Sequence, residues 1–301
     1  MTIQEVEIES KFPLSFGQKS LWFLHKLSSG HCAYNVALAW RIKSSFEIEP
    51  FKQALQKICD QHPSLRTTFH AKDDGDLEQF IHKHQPAFFK LVDASDFSSD
   101  HLDKVLNEET YRPFNLETGP LIRWTLFTLS PQDHVLFLGA HHIAVDMWSL
   151  LIILQQLSKL LTPGSSINED IEKVYHYADY VKREQKLVES PKGKHLLAYW
   201  QKKLGHELPR LNLPADHPRP PVIDYRGGRV SFQLGDDLIK RLIKIENALS
   251  INRFSLYLSL YQLFLYRYTG QDSISIFTPV SKRKISYQNA TGYFVNPIVI
   301  N

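Results

Sequence analysis

A short apolar run at residues 135–140 ends directly in two histidines, His141 and His142, and an apolar helical pattern starts a few residues later. The run follows the polar Gln132-Asp133-His134 and reads as a buried strand. Downstream, Trp148, Leu150, Leu151, Leu154, Leu157, Leu160 and Leu161 recur at helical spacing. The histidines therefore occupy a strand-to-helix junction, where side chains can leave the core and reach a ligand. If the strand persists to its end, alternation sends His141 and His142 to opposite faces, so only one can serve a given reaction centre. Imidazole exchanges a proton near neutral pH, which suits general acid–base work. The plainer reading, two satisfied histidines at a strand end, stands beside the catalytic one. Asp146 lies just before the helix, where it can cap the first turn or anchor a cation. With no HExxH pair and no metal-type cysteine spacing, no zinc site is expected.

The remaining pattern mixes helices and strands. Helices are expected at 16–27, around 51–59 after Pro50, at 100–109, 175–187, 194–204, 236–249 and 254–268. Strands are expected at 36–42, 65–70, 121–129, 134–140, 229–234 and 273–277. The two central runs form a hairpin across Ser130-Pro131-Gln132-Asp133. Residues 162–166 read as a break. Pro209, Pro214, Pro218, Pro220 and Pro221 read as an extended crossing segment between two lobes. The expected division is an N-terminal lobe over 1–170, connecting helices and crossover over 171–226, and a C-terminal lobe over 227–301. The sequence closes on the apolar run 293–301 without a polar tail, so the second lobe is expected to be partial.

Composition narrows the function classes. The 301 residues carry 35 basic and 32 acidic side chains, a net +3, which argues for neither a nucleic-acid nor a membrane partner. Cys32 and Cys59 make no disulfide framework and read as small apolar side chains. The acidic start is not a secretory signal, so a cytoplasmic location is expected.

Five segments, in order, resemble the motifs of the nonribosomal peptide synthetase condensation domain, a member of the chloramphenicol-acetyltransferase-like superfamily. They are Ser15-Phe16-Gly17-Gln18-Lys19-Ser20-Leu21-Trp22-Phe23-Leu24, Asp60-Gln61-His62-Pro63-Ser64-Leu65-Arg66-Thr67-Thr68-Phe69, the HHxxxD stretch from His141 to Ser149, Tyr175-His176-Tyr177-Ala178-Asp179-Tyr180, and Gly292-Tyr293-Phe294-Val295-Asn296. The resemblance implies an α/β fold of two lobes set in a V around a tunnel. It implies that donor and acceptor carrier-protein domains bring acyl and aminoacyl thioesters on 4'-phosphopantetheine arms, with an adenylation domain in the same synthetase. No cofactor is bound directly, and no metal is expected.

In that family the second histidine, here His142, is catalytic, and His141 beside it is counted with it as a candidate catalytic residue. The aspartate, here Asp146, is structural and pairs with an arginine, for which Arg283 in Pro279-Val280-Ser281-Lys282-Arg283 is the nominee. Met147, Trp148 and Ser149 complete the active-site loop, with Ser149 expected to be a first-turn polar residue without chemistry. Tyr293 and Asn296 are candidate tunnel residues; for Asn296 a strand-edge hydrogen bond is the alternative. The family usually has glycine after the motif aspartate, where this chain has Met147. Two other activities remain open at this point: transfer to a soluble amine or alcohol (or epimerisation) within the same superfamily, and a non-catalytic module that only docks carrier proteins.

Overall fold

A computed structural model describes residues 7–27, 32–162, 176–205, 208, 210–218, 220 and 227–301. The chain forms two compact units. The first combines residues 1–195 with 281–296, and the second combines 196–280 with 297–301.

In the first unit, strand β1 (Ile8–Pro13) leads into helix α1 (Phe16–Leu27), then β2 (Asn35–Ile42) and α2 (Ile48–Gln61). A 3-10 turn, Pro63–Arg66, precedes β3 (Thr67–Ala71), followed by β4 (Leu77–His82) and β5 (Phe89–Asp93). Helix α3 (Ser99–Thr110), the hairpin β6 (Ile122–Ser130) and β7 (Asp133–His141), and helix α4 (Met147–Leu161) come next. Helix α5 (Tyr177–Glu189) closes this part. Strands β1, β4 and β3 form one antiparallel sheet in that order. The other sheet runs β2-β7-β6-β5, antiparallel except for the parallel pair β5–β6.

The hairpin turns through Pro131 and Gln132, since Ser130 pairs with Asp133. Its strands are buried at nearly every position because both faces are covered. Trp124, Leu126, Leu136 and Leu138 enter the main core with Phe51, Leu55 and Ile58 of α2 and Leu150, Ile153 and Leu157 of α4. Phe127, Val135 and Phe137 face the other way, against Leu102 of α3. Strand β7 is thereby held rigidly up to its last residue, His141.

The segment expected to run extended from residue 65 begins as the 3-10 turn instead. Pro63 starts the turn, and the Thr67 hydroxyl donates back to the Pro63 carbonyl at 2.6 Å. Strand pairing waits until Thr67.

The second unit contains most of helix α6 (Pro191–Leu204), then α7 (Asp236–Leu249), α8 (Arg253–Thr269) and the two-stranded sheet of β8 (Ile276–Ser281) and β9 (Val295–Ile300). Helix α7 occupies the residues its periodicity predicts, and β8 lies a few residues beyond the expected strand. The strand expected at 229–234 is not formed. Val230 and Phe232 are 90% and 83% exposed, and no described strand pairs with them. An alternating pattern supplies a face, but a strand also needs a neighbour to take its backbone groups. Residues 163–166, Tyr175, Pro209 and Pro221 from the expected break, motif and crossover lie outside the described residues, while Pro214, Pro218 and Pro220 carry no regular structure. Among the described residues no helix is long and apolar enough to cross a membrane.

Candidate active site

Strand β7 delivers His141 into the core. Its backbone N–H donates to the Leu121 carbonyl at 3.0 Å, and its side chain is 1% exposed. The ring packs edge-on against His25 and Phe114. The Ile143 N–H donates to His141 Nδ1 at 3.1 Å, so Nδ1 is the acceptor and the ring proton resides on Nε2. Burial, helped by the neighbouring His25 and His142, pushes the His141 pKa down to about 3.

The strand ends there and the chain turns. The His142 N–H donates to Tyr34 O at 2.8 Å, and its ring is half-buried. Nδ1 of His142 lies 2.8 Å from the Val145 carbonyl. A carbonyl can only accept, so Nδ1 carries the proton and Nε2 keeps its lone pair. Tyr293 stands edge-on to this ring, with centroids 5.2 Å apart.

Asp146 is both helix cap and ion-pair partner. As N-cap of α4 it accepts from Ser149 N at 2.7 Å. Its two oxygens also lie 3.0 and 3.2 Å from Arg283 Nη2, and Oδ2 accepts from Phe294 N at 3.2 Å. Arg283 Nη1 donates to the carbonyls of Tyr287 and Ala290, and the guanidinium lies 4.0 Å from the Phe294 ring centre. Burial lowers the Arg283 pKa, and Asp146 opposes that shift. Arg283 Nε is buried without a hydrogen-bond partner.

Ser149, fully buried, sits at the centre of this cluster. Its hydroxyl accepts from Gly292 N and Arg283 Nη2, each at 3.0 Å. It has one hydrogen to donate, with Asp146 Oδ1 at 2.6 Å and the Gly292 carbonyl at 2.9 Å in reach. Sequence gives no sign of this, because a serine in a first helical turn looks the same whether solvated or buried. Met147 and Trp148, its helical neighbours, are half exposed, and Trp148 Nε1 donates to Gln288 O at 3.1 Å. Ser250 is the one described non-glycine residue with positive φ, so the backbone at Met147 places no demand for glycine.

The five sequence segments converge on this loop. Gln18 donates to the Ile143 carbonyl at 3.2 Å, and Ser64 and Thr291 share a 2.7 Å hydroxyl contact. The Tyr177 hydroxyl, its pKa raised by burial, donates to the Tyr293 carbonyl at 2.6 Å. The Ser15 hydroxyl, 2.8 Å away, must then be the donor to Tyr177. Gly17 passes so close to Tyr293 that a Cβ would stand 2.8 Å from Cε1 of the ring. Asn296, at the start of β9, is partly exposed. Among the described residues no cluster of three or more His, Cys, Asp or Glu side chains could hold a metal ion.

The motif loop, with its half-buried imidazole beyond a buried strand and its distant arginine brace, sits in a fold of the chloramphenicol-acetyltransferase-like type. The condensation domain family model matches residues 8–301, and the chain belongs to that family. It is 33% identical over 302 residues to a linear gramicidin synthase of Brevibacillus parabrevis, covering 98% of this chain and 6% of that protein. Tyrocidine synthase 3 of the same organism is 30% identical over 300 residues, covering 99% of this chain and 4% of that protein. The chain thus spans a small fraction of the curated relatives it matches. Among solved structures, a four-domain nonribosomal peptide synthetase bound to AMP and glycine superposes with a TM-score of 0.88 at 26% identity, over 100% of this chain and 23% of that one. The condensation domain of the monacolin K polyketide synthase gives 0.79 at 19% identity, over 97% of this chain and 68% of that one. Condensation domains of nonribosomal peptide synthetases are acyltransferases that form amide bonds.

Proposed function

We propose that this chain forms an amide bond between an acyl or aminoacyl thioester on a donor carrier domain and an amine on an acceptor carrier domain. Both substrates would ride on phosphopantetheine arms, in a cytoplasmic synthetase that also holds an adenylation domain. His142 is the catalytic residue in this reading. The observation that carries it is the 2.8 Å contact of Nδ1 with the Val145 carbonyl, which leaves the Nε2 lone pair available as a base.

The acceptor nitrogen attacks the thioester carbonyl carbon, and His142 Nε2 takes the proton released from that nitrogen. The tetrahedral species then expels the donor thiolate as the C–S bond breaks, and the proton on His142 passes to that sulfur. The thioester is already activated, so positioning is the main demand, worth up to ~7–11 kcal/mol in favourable intramolecular cases. Backbone N–H groups at the start of α4, around Met147 and Trp148, are suited to stabilise the oxyanion, because first-turn donors have no acceptor within the helix. The Asp146–Arg283 pair and Ser149 hold the loop, and Tyr293 braces the imidazole. Asn296 is assigned to the substrate passage.

The test is product formation from one donor-loaded and one acceptor-loaded carrier domain. His142→Ala should lower turnover by roughly 10²–10⁴-fold while the thermal transition is retained. Turnover at the parent level in a folded variant removes His142 from the chemistry.

A further inference from the structure

A groove enclosing about 490 Å³ opens between α5, the first turn of α6 and the segment 281–287. It lies within the first compact unit and is lined by Tyr180, Arg183, Glu184, Leu187, Lys192 and the run from Ser281 to Lys284, ending at Tyr287. This volume falls within the ordinary range of small-molecule sites.

The charge in the groove is one-sided. Its carboxylate, Glu184, is 7% exposed and already engaged by Phe16 N at 2.9 Å, the Tyr180 hydroxyl at 2.8 Å and Lys282 Nζ at 3.2 Å. Arg183, Lys192 and Lys284 have no carboxylate within ion-pair distance among the described residues. Three uncompensated cations around one concavity repel each other and raise the local potential felt by an anion. Lys192 also sits in the first turn of α6, where the helix dipole adds to that potential. The wall includes Arg283, whose buried Nε–H has no acceptor, while Leu187 and Tyr287 provide apolar surface beside the charges.

We propose that this groove binds an organic phosphate: an anionic head held by Arg183, Lys192 and Lys284, with an apolar body along Leu187. A free phosphorylated metabolite and the phosphate ester of a carrier-bound pantetheine arm share this chemistry. Binding in the groove does not depend on His142 acting as a base, and its test measures affinity and not turnover.

The experiment is isothermal titration of the whole chain with 4'-phosphopantetheine, pantetheine and AMP, repeated for Lys192→Gln/Lys284→Gln and for Lys52→Gln as a remote surface control. Expected is binding of a phosphate-bearing probe, weakened at least tenfold by the double substitution, unchanged by Lys52→Gln, and weakened by added salt. Preference for 4'-phosphopantetheine over AMP identifies the arm as the source; equal or better AMP binding identifies a free phosphate. Pantetheine binding as tightly as its phosphorylated form, no phosphate binding at millimolar concentration, or affinity indifferent to the double substitution each overturns the proposal. Circular dichroism of the double variant separates loss of binding from loss of fold. A second variant, Arg183→Gln, must weaken binding as well.

Discussion

His141 and His142, adjacent in the chain, are held in opposite tautomers by the backbone around them. Ile143 N–H fills the Nδ1 lone pair of the first at 3.1 Å, and the Val145 carbonyl takes the Nδ1 proton of the second at 2.8 Å. Nitrogen-15 shifts should assign a Nε2–H tautomer to His141 and a Nδ1–H tautomer to His142. The reverse assignment at His142 would turn the lone pair toward the Val145 carbonyl and leave none at Nε2 for the proposed proton transfer.

The buried first histidine makes stability depend on acid. Its folded pKa, about 3, lies below the ordinary value of 6.5. Between those two values the unfolded chain binds a proton that the folded chain refuses, so stability falls as pH drops from 6.5 toward 3. The limiting slope is about 1.4 kcal/mol per pH unit for one group. His25, His62 and His70 are also shifted downward by burial and add to the total. Urea unfolding at several pH values should show His141→Gln losing about one proton's share of that slope. An unchanged slope would mean that the ring is protonated in the folded state.

Removing one side of the Asp146–Arg283 pair strands the other in a site where both side chains are under a tenth exposed. Arg283→Ala and Asp146→Ala should each cost roughly 3–5 kcal/mol by chemical denaturation. The double variant should cost clearly less than their sum, because neither charge is then left alone. Additive losses would show that the two groups contribute independently.

Ser149→Ala deletes one hydroxyl, takes away the acceptor of the buried Gly292 N and removes one of the three oxygens around Arg283 Nη2. The expected loss is roughly 1–3 kcal/mol. A change within about 0.5 kcal/mol, the range of ordinary surface substitutions, would place the serine outside the clamp.

Two glycines test the packing around Tyr293. Gly292 has φ +156°, and a Cβ there would stand 2.2 Å from the Tyr177 ring, so Gly292→Ala should destabilise the fold by roughly 2–5 kcal/mol. Gly17→Ala gains helix propensity of up to about 1 kcal/mol but displaces the Tyr293 ring. Its stability should stay near the parent value while turnover falls several-fold. Parent-level turnover would mean that the Tyr293 contact does not orient His142.

Periodicity located the elements whose faces are wholly or evenly buried. The β6–β7 hairpin, buried at nearly every position, is an example; helix α7 matches its expected bounds through apolar spacing alone, with Leu242 its one buried residue. Strand β1 carries no such pattern, since its Ile8-Glu9-Ser10-Lys11-Phe12-Pro13 sequence sits at a sheet edge and is largely solvated. Residues 229–234 failed in the opposite direction: the alternation is there, the pairing partner is not. At the site, the ordered motifs marked the family and brought forward Arg283 and Tyr293. They were silent on Ser149 as a buried hub and on the Ser15–Tyr177–Tyr293 relay of hydrogen bonds. Those roles arise from residues that are polar, isolated in sequence and without period, so only the meeting of distant segments reveals them.

The first compact unit is interrupted: residues 196–280 belong to the second, and the chain returns at Ser281 to supply Arg283 and Gly292. On a ribosome, Asp146 emerges 137 residues before the arginine that grips it. At ordinary elongation speeds that is a wait of roughly 7–27 s. The loop carrying His142 is therefore braced only once Arg283 has been made, and a nascent chain stalled before that residue holds its histidines on an unbraced turn.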